Sequence, residues 1–401
     1  MMVQLKDTLR CCPICRDRLG EVLHRQRFVL PAGHPMESGY DIVSCQNCGF
    51  VFADVAVTQE ALNRYYAQQS KYADQKTSSG SGESTEDRQR LQDIAFQVAR
   101  NFPDRHLRLL EIGCANGGLL RELKHMGYTC LTGIDPSPAC VEHTRQVGVD
   151  AWIGSLSALP VETNGYDLVI LSHVLEHVID LHAAMQNLEK ACQGSLFTIV
   201  PDAAHYHEFV NAPFQDFNTE HVNHFSPIAL HNLCGQYGYT ASLEGSQQFE
   251  ITPGKWRAAL LGIYTYTGKP SLEITSDPEL KVAIQKYIEI SDRLLKAMDL
   301  KIQAITASHP EWIVWGTGQL ALKLLAETTL GKANITAFVD GNPVNQGRTL
   351  LGKPILAPGQ LVGSTTPILI TTTLHSQAIK AAIRSLRLEN PVFTLSISEG
   401  Q

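Results

Sequence analysis

Short apolar runs and longer amphipathic stretches alternate along most of this chain. Between Asp93 and about Tyr239 the runs are LRLLEI, TCLTGI, DAWIG, YDLVIL and SLFTIV. Between them lie GLLRELKHMG, PACVEHTRQVG and LHAAMQNLEKAC, whose apolar positions recur at helical spacing. Runs this short, separated by helical segments, predict βαβ units and a largely parallel sheet. A helical pattern follows from Pro278 to Ser308, with Val282, Ile284, Ile288, Leu294 and Leu295 among its apolar positions. A second αβ block then opens at EWIVWGTGQLALKLLAE and runs through NITAFVD, TPILITT, SQAIKAAIRSLRL and PVFTL. Residues 61–90 are polar and include a Ser/Gly-rich stretch, which reads as a mobile linker or lid. The expected division is a module over 1–60, a linker over 61–92, an αβ domain over 93–245, a connecting segment with the long helix over 246–308, and a second αβ domain over 309–401. The fold class is α/β.

Composition narrows the picture only slightly. At 401 residues the chain is too long for one ordinary core, and its 44% hydrophobic share is that of a globular protein. No apolar run reaches the length of a membrane span and the N-terminus has no apolar signal region, so a cytoplasmic protein without membrane contact is expected. The net charge of −7 gives no general attraction to nucleic acid.

Ten cysteines in such a chain favour metal ligands and buried thiols over disulfides. Cys12 and Cys15 form one C-x2-C pair, and Cys45 and Cys48 form another. Each pair suits a knuckle presenting two thiolates to one tetrahedral Zn2+, and Gly49 suits the tight turn beside it. Four thiolates leave no open position for water, so this zinc is expected to be structural. Cys11 could replace Cys12 only by breaking the spacing.

The segment LLEIGCANGGLLREL places Glu111, Gly113 and Gly117 where a strand passes into a helix. Glycines there let the backbone approach a ligand at the helix N-terminus. About twenty residues on, Asp135 closes a second strand, where a carboxylate can accept ribose hydroxyls. The spacing E-x-G-x-x-x-G differs from the dinucleotide fingerprint. A glutamate beside the loop suits instead a cationic amino-acid ligand such as that of S-adenosylmethionine (SAM). Over roughly residues 93–240 the chain resembles the class I SAM-dependent methyltransferases. That resemblance implies SAM contacts from Glu111, Gly113, Asn116, Gly117, Asp135, Pro136, Ser155, Leu156 and Ser172.

YDLVILSHVLEH also contains His173, Glu176 and His177, which spell the H-x-x-E-H string of inverted zinc peptidases. Zinc-binding histidines at that spacing share one face of a continuous helix. Here His173 follows two residues after a buried strand, so loop is expected and the string marks the sheet's ligand-binding end. After the fifth strand comes PDAAHYHEFVNAPFQDFNTEHVNHFSPIAL, too rich in titratable groups for an ordinary connector. A histidine beside a carboxylate suits removal of a proton during methyl transfer, and Glu220-His221 is the preferred pair. A metal cluster of His205, His207, His221 and His224 is an alternative.

The order of zinc module, SAM fold and C-terminal αβ domain resembles the three-domain sugar C-methyltransferases. That family implies a nucleotide-linked deoxysugar as acceptor and a histidine base within a Tyr-x-Glu-His segment. Here Glu220 and His221 match, while Asn218 stands at the tyrosine position, and O- or N-methylation of a small metabolite stays open. The expected catalytic set is His221, Glu220, His224 and His173. Substrate contacts are expected from His177, His205, His207 and Asn218. The last block adds Gly316, Gly318 and Arg348, with Asp340 and Asn342 nearby. Its G-T-G-Q-L repeats the strand–glycine–helix logic as a platform for a nucleotide or as a structural layer. Three other functions remain: a zinc-containing scaffold whose SAM fold has lost catalysis, a zinc hydrolase using His173, Glu176 and His177, and a nucleic-acid methyltransferase, which the acidic balance and the lack of a basic stripe count against.

Overall fold

The computed structural model describes residues 4–69, 74–75, 80–160 and 165–395. Three sheets carry the molecule. The first is antiparallel, in the order Leu5–Asp7, Leu19–Arg27, Gly39–Cys45, Val51–Asp54 and Asn223–His224. Its last strand comes from the centre of the chain: Asn223 pairs with Phe52 and His224 with Val51. All four residues of Val51–Asp54 are buried for that reason.

The central sheet runs Asp150–Ile153, Leu131–Asp135, Leu109–Ile112, Tyr166–Ser172, Cys192–Pro201, Lys255–Tyr266, Tyr239–Thr252. The first five strands are parallel and the last two form an antiparallel hairpin. Leu109–Ile112 is buried throughout, as expected of a strand covered on both faces. The strand order reverses here, with Leu131–Asp135 on one side and the later Tyr166–Ser172 on the other, so a crevice opens beyond its carboxyl end. The sheet continues to Tyr266, past the boundary expected at residue 245, which falls inside a strand. Tyr239–Thr252 hid from the apolar pattern because it is an edge strand whose side chains are mostly polar and, past Tyr239, exposed or half-exposed.

Among the described residues, the polar segment read as a linker is largely helical. Gln59–Gln69 and Thr85–Asn101 are helices, and the Ser84 side chain caps the second by accepting from Asp87 N (3.1 Å). The second buries Leu91, Ile94, Ala95 and Val98. Residues 70–73 and 76–79 of that expected linker lie outside the described residues.

The long helix spans Pro278–Thr306. Its cap, Asp277, accepts from Leu280 N and from the Ser226 hydroxyl, and donates its own N–H to the Cys48 carbonyl. The third sheet runs Thr349–Leu350, Lys353–Leu356, Ile335–Val339, Trp312–Trp315, Ile368–Ile370, Val392–Thr394, parallel except at its first pair. One apolar core joins all three parts, with Tyr40 and Val51, Phe214 and Phe217, Tyr287, and Trp312 in the same cluster.

Two histidines sit inside this packing. His24 stacks on Phe214 with 4.2 Å between ring centroids, and His224 lies edge-on to Phe217. Burial holds both at about 3, helped by the charge of Lys323 at His24 and of Arg10 at His224. Their folded values lie below the unfolded value, so unfolding takes up protons. The stability they contribute is complete above about pH 6.5 and is lost as pH falls from there toward 3. At pH 5.5 each is expected to cost about 1 kcal/mol relative to neutral pH. Thermal melts followed by circular dichroism are expected to show a falling Tm between about pH 7.5 and 5.5; a constant Tm would contradict this.

Candidate active site

Each cofactor-side residue owes its place to a strand end. Gly113 follows strand Leu109–Ile112 at φ 75°, and a Cβ there would lie 2.7 Å from Val174 Cγ2. Only glycine allows that turn while Val174 packs against it. Asp135 ends the next strand, its Oδ2 accepting from Ala115 N (2.9 Å) and its Oδ1 from Ser137 N (2.8 Å). Burial pushes Asp135 up to about 6 against those two hydrogen bonds. Glu111 is more extreme: burial raises it to about 8, Arg90 pulls it down and Asp135 adds to the rise. Its Oε2 is buried without a hydrogen-bond partner. A buried carboxyl held this way fits a ligand that carries a cation.

Glu111, Gly113, Asp135, Pro136, Ser155, Leu156 and Ser172 all line one cavity of about 1290 Å3. Asn116 and Gly117 lie off its wall. Asn116 accepts from His143 Nδ1 (2.7 Å), while Gly117 caps the helix Gly118–His125 where a side chain would strike Thr144. The supposed linker supplies walls that the motif reading missed. Asp87 Oδ2 accepts from Gly80 N and Gly82 N at 2.8 Å each, holding that loop against the glycine turn. Asn63 reaches the hydroxyls of Ser155 (3.1 Å) and Ser157 (3.0 Å). Ser84-x-x-Asp87, a helix-capping pattern, was the available signal.

A further part of the wall is built by the turn after Ser172. His173 adopts a left-handed backbone (φ 57°), and Leu175–His177 is a single tight turn rather than a long helix. His173 and His177 therefore lack the shared helical face that a zinc peptidase requires. His173 Nδ1 meets Glu176 Oε1 at 3.1 Å, and Glu176 is buried with its Oε2 unpartnered. His177 Nδ1 donates to the Glu220 carbonyl (3.0 Å), and its ring lies 5.0 Å from that of His221. His221 Nδ1 is buried without a hydrogen-bond partner. Burial holds His221 well below the usual histidine range, and His177, Arg257, His224 and His173 add to the depression.

Asn218 explains how His221 is held. Its side-chain oxygen accepts from both Glu220 N (2.9 Å) and His221 N (3.0 Å). Its carbonyl receives the Tyr40 hydroxyl (2.7 Å), and Thr219 is bonded in both directions to Gln319. The loop is thus clasped from both flanking parts of the chain.

His173, His177, His205 and His221 line the cavity, as do Gly316 and Gly318. Glu220 reaches His177 through its main chain, and its side chain is off the wall. Asn218, His207 and Arg348 are also off the wall. His224 is a fully buried core residue whose Nδ1 lies 3.5 Å from the Tyr206 hydroxyl, because its strand must pair with Val51. The four-histidine metal cluster does not assemble: His224 is in the core, and His205 pairs with Glu208 at 2.8 Å. Arg257 was missed. It lines the cavity with a buried Nε that has no partner, and a charge opening the apolar strand WRAALLG was the clue.

A methyltransferase-domain family model matches residues 86–243. This region is a class I SAM-dependent methyltransferase domain. Within it the chain is similar to the ubiquinone biosynthesis O-methyltransferase of Methylobacterium nodulans, 32% identical over 105 residues, covering 24% of this chain and 42% of that protein. The corresponding protein of Methylocella silvestris is 28% identical over 137 residues, covering 31% and 50%. The chain thus spans half or less of the length of these curated relatives. A solved structure of magnesium protoporphyrin IX methyltransferase from Synechocystis PCC 6803 with bound SAH is 14% identical, with a TM-score of 0.40, covering 51% of this chain and 99% of that one.

Two other parts border the methyltransferase domain. In the C-terminal sheet, Asp340 repeats the arrangement of Asp135. Its Oδ2 receives Thr317 N (3.2 Å) and the Thr317 hydroxyl, and its Oδ1 receives Asn342 N (2.8 Å). This loop faces the same cavity. In the N-terminal module, Sγ atoms of Cys12 and Cys48 lie 3.5 Å apart, and those of Cys15 and Cys45 3.4 Å. All four sulfurs fall within 4.8 Å of one another, and all four cysteines are free of disulfides. Thiolates around a tetrahedral zinc stand about 3.8 Å apart, so the donor set fits zinc. Cys11 is exposed and outside the cluster. No helix among the described residues is long and apolar enough to cross a membrane.

Proposed function

We propose that this protein transfers the methyl group of SAM to a small acceptor, with His221 as the base. The observation carrying this reading is a single cavity in which Glu111 and Asp135 share space with His221 and with Gly316. At about 1290 Å3 it exceeds an ordinary single-ligand pocket, as expected where two molecules must meet. Zn2+ held by Cys12, Cys15, Cys45 and Cys48 is the structural metal in this reading.

SAM supplies a methyl group activated on a sulfonium. Glu111 would hold its ammonium and Asp135 its ribose hydroxyls, with Ser155 and Leu156 beside the adenine. The imidazole of His221 would take one proton from the acceptor, leaving an electron pair on the acceptor atom for the methyl group. Burial keeps His221 neutral, so its lone pair is available at neutral pH. Glu176 lies close enough to favour the resulting imidazolium. The second αβ block, with Asp340 and Thr317 lining the same cavity, suits the nucleotide part of a nucleotide-linked sugar. C-methylation next to a keto group fits that acceptor, because a carbon acid needs such a base.

O-methylation is the second reading, favoured by the O-methyltransferase names of the similar proteins. Incubation with methyl-labelled SAM, a nucleotide diphosphate keto-sugar panel and a phenolic panel separates the two. Label stable on carbon in a sugar is the expected result. Label on a phenolic oxygen would transfer the conclusion to the second reading, and no transfer to either panel would count against both.

A further inference from the structure

Glu176, His177 and His221 come from two loops, yet one ligand atom of each lies within 4.8 Å of the others. Two imidazoles and one carboxylate are a donor set suited to divalent transition metals rather than Mg2+ or Ca2+. Each of the first two donors is also oriented as metal ligands usually are. His177 spends its Nδ1–H on the Glu220 carbonyl, which turns the lone pair of Nε2 toward Glu176 Oε1, 3.9 Å away. Glu176 is itself held by His173. Such outer contacts fix the tautomer of a ligating histidine and the direction of a ligating carboxylate.

The unsatisfied atoms point the same way. Glu176 Oε2 and His221 Nδ1 are both buried without a hydrogen-bond partner. Glu176 is only 1% exposed, so its charge gains little from solvent. Buried lone pairs converging without a proton or cation between them repel one another. Arg257, which shares the wall and bears on His221, opposes a cation; the carboxylate of Glu176 offsets it.

We infer that Glu176, His177 and His221 form a second metal site, distinct from the cysteine cluster, which takes one divalent transition-metal ion. The ion occupies the His221 lone pair that would otherwise accept the acceptor's proton. Metal binding and proton abstraction therefore exclude each other, and the bound form is inhibited. The inhibition rests on the proposed role of His221, whereas the binding does not.

The probe is Co2+, titrated into protein whose cysteine site already holds zinc. One further equivalent per chain is expected, with visible d–d bands and no thiolate charge-transfer band. His177→Ala and Glu176→Gln are each expected to weaken that binding at least about ten-fold while zinc content stays at one per chain. Absence of a second equivalent, or its retention in both variants, would overturn the site. Zinc content and a normal thermal melt report folding of the variants. Co2+ is further expected to stop methyl transfer, with recovery on adding a weak chelator that leaves the cysteine zinc in place. Binding without inhibition would overturn the assigned competition alone. Protein that holds the cysteine zinc but no second metal, and transfers no methyl group, would count against the proposed function and leave the metal count unaffected.

Discussion

His221→Ala is expected to bind SAM within about two-fold of the parent protein while its kcat falls by about 10²- to 10⁴-fold, the range typical of a lost general base. The split follows from the geometry. His221 sits on the loop held by Asn218 and Tyr40, while Glu111 and Asp135 belong to strand ends of the methyltransferase sheet. Removing the imidazole deletes the buried Nδ1 and leaves the cofactor cradle intact. Calorimetry with SAM and a labelled-transfer assay give the two halves of the measurement. Wild-type turnover would remove His221 as base. Asp135→Ala supplies the contrast, because it is expected to lose mainly SAM affinity; unchanged SAM affinity there would contradict its ribose role.

Cys48→Ser is expected to release zinc, lower the Tm and abolish methyl transfer together. The free energy at stake is large, since apparent structural zinc binding in small modules amounts to about 10–16 kcal/mol at neutral pH. Cys48 is coupled to more than the metal, because its carbonyl receives the N–H of Asp277, the cap of the long helix. The neighbouring strand Val51–Asp54 pairs with Asn223–His224, immediately after the base. A disordered module would therefore loosen the base loop. Metal analysis and melting curves of the variant check the structural half. Full zinc content with full activity would show that Cys48 neither ligates zinc nor supports the base.

How much of this could be read from the chain depended on how local the signal was. Glu111, Gly113 and Asp135 were legible because a strand, a glycine turn and an acid recur at fixed short spacing. The clustering of the four cysteines was legible for the same reason, because each pair is local. His224 was misplaced because neighbours along the sequence point to opposite sides of a strand, and nothing local says that Val51 will be its partner. Arg257 and Asn63 were missed because their roles arise only where distant elements meet. The polar stretch that begins at Thr85 looked unstructured by composition, but a helix needs only one apolar stripe, and Leu91, Ile94, Ala95 and Val98 provide it.

The pairing of Asn223 with Phe52 also constrains the order in which the molecule can assemble. The two partners are separated by about 170 residues, so Val51–Asp54 leaves the ribosome long before its neighbour exists. At about 5–20 residues per second the wait is roughly 10–30 s. Throughout that time a strand with the sequence Val-Phe-Ala-Asp has an open edge, the kind of surface that recruits other chains. Early capture of metal by the cysteines would hold that strand in register while the rest is made. Cells starved of zinc are then expected to lose this protein to aggregation during synthesis, before any catalytic defect could be measured.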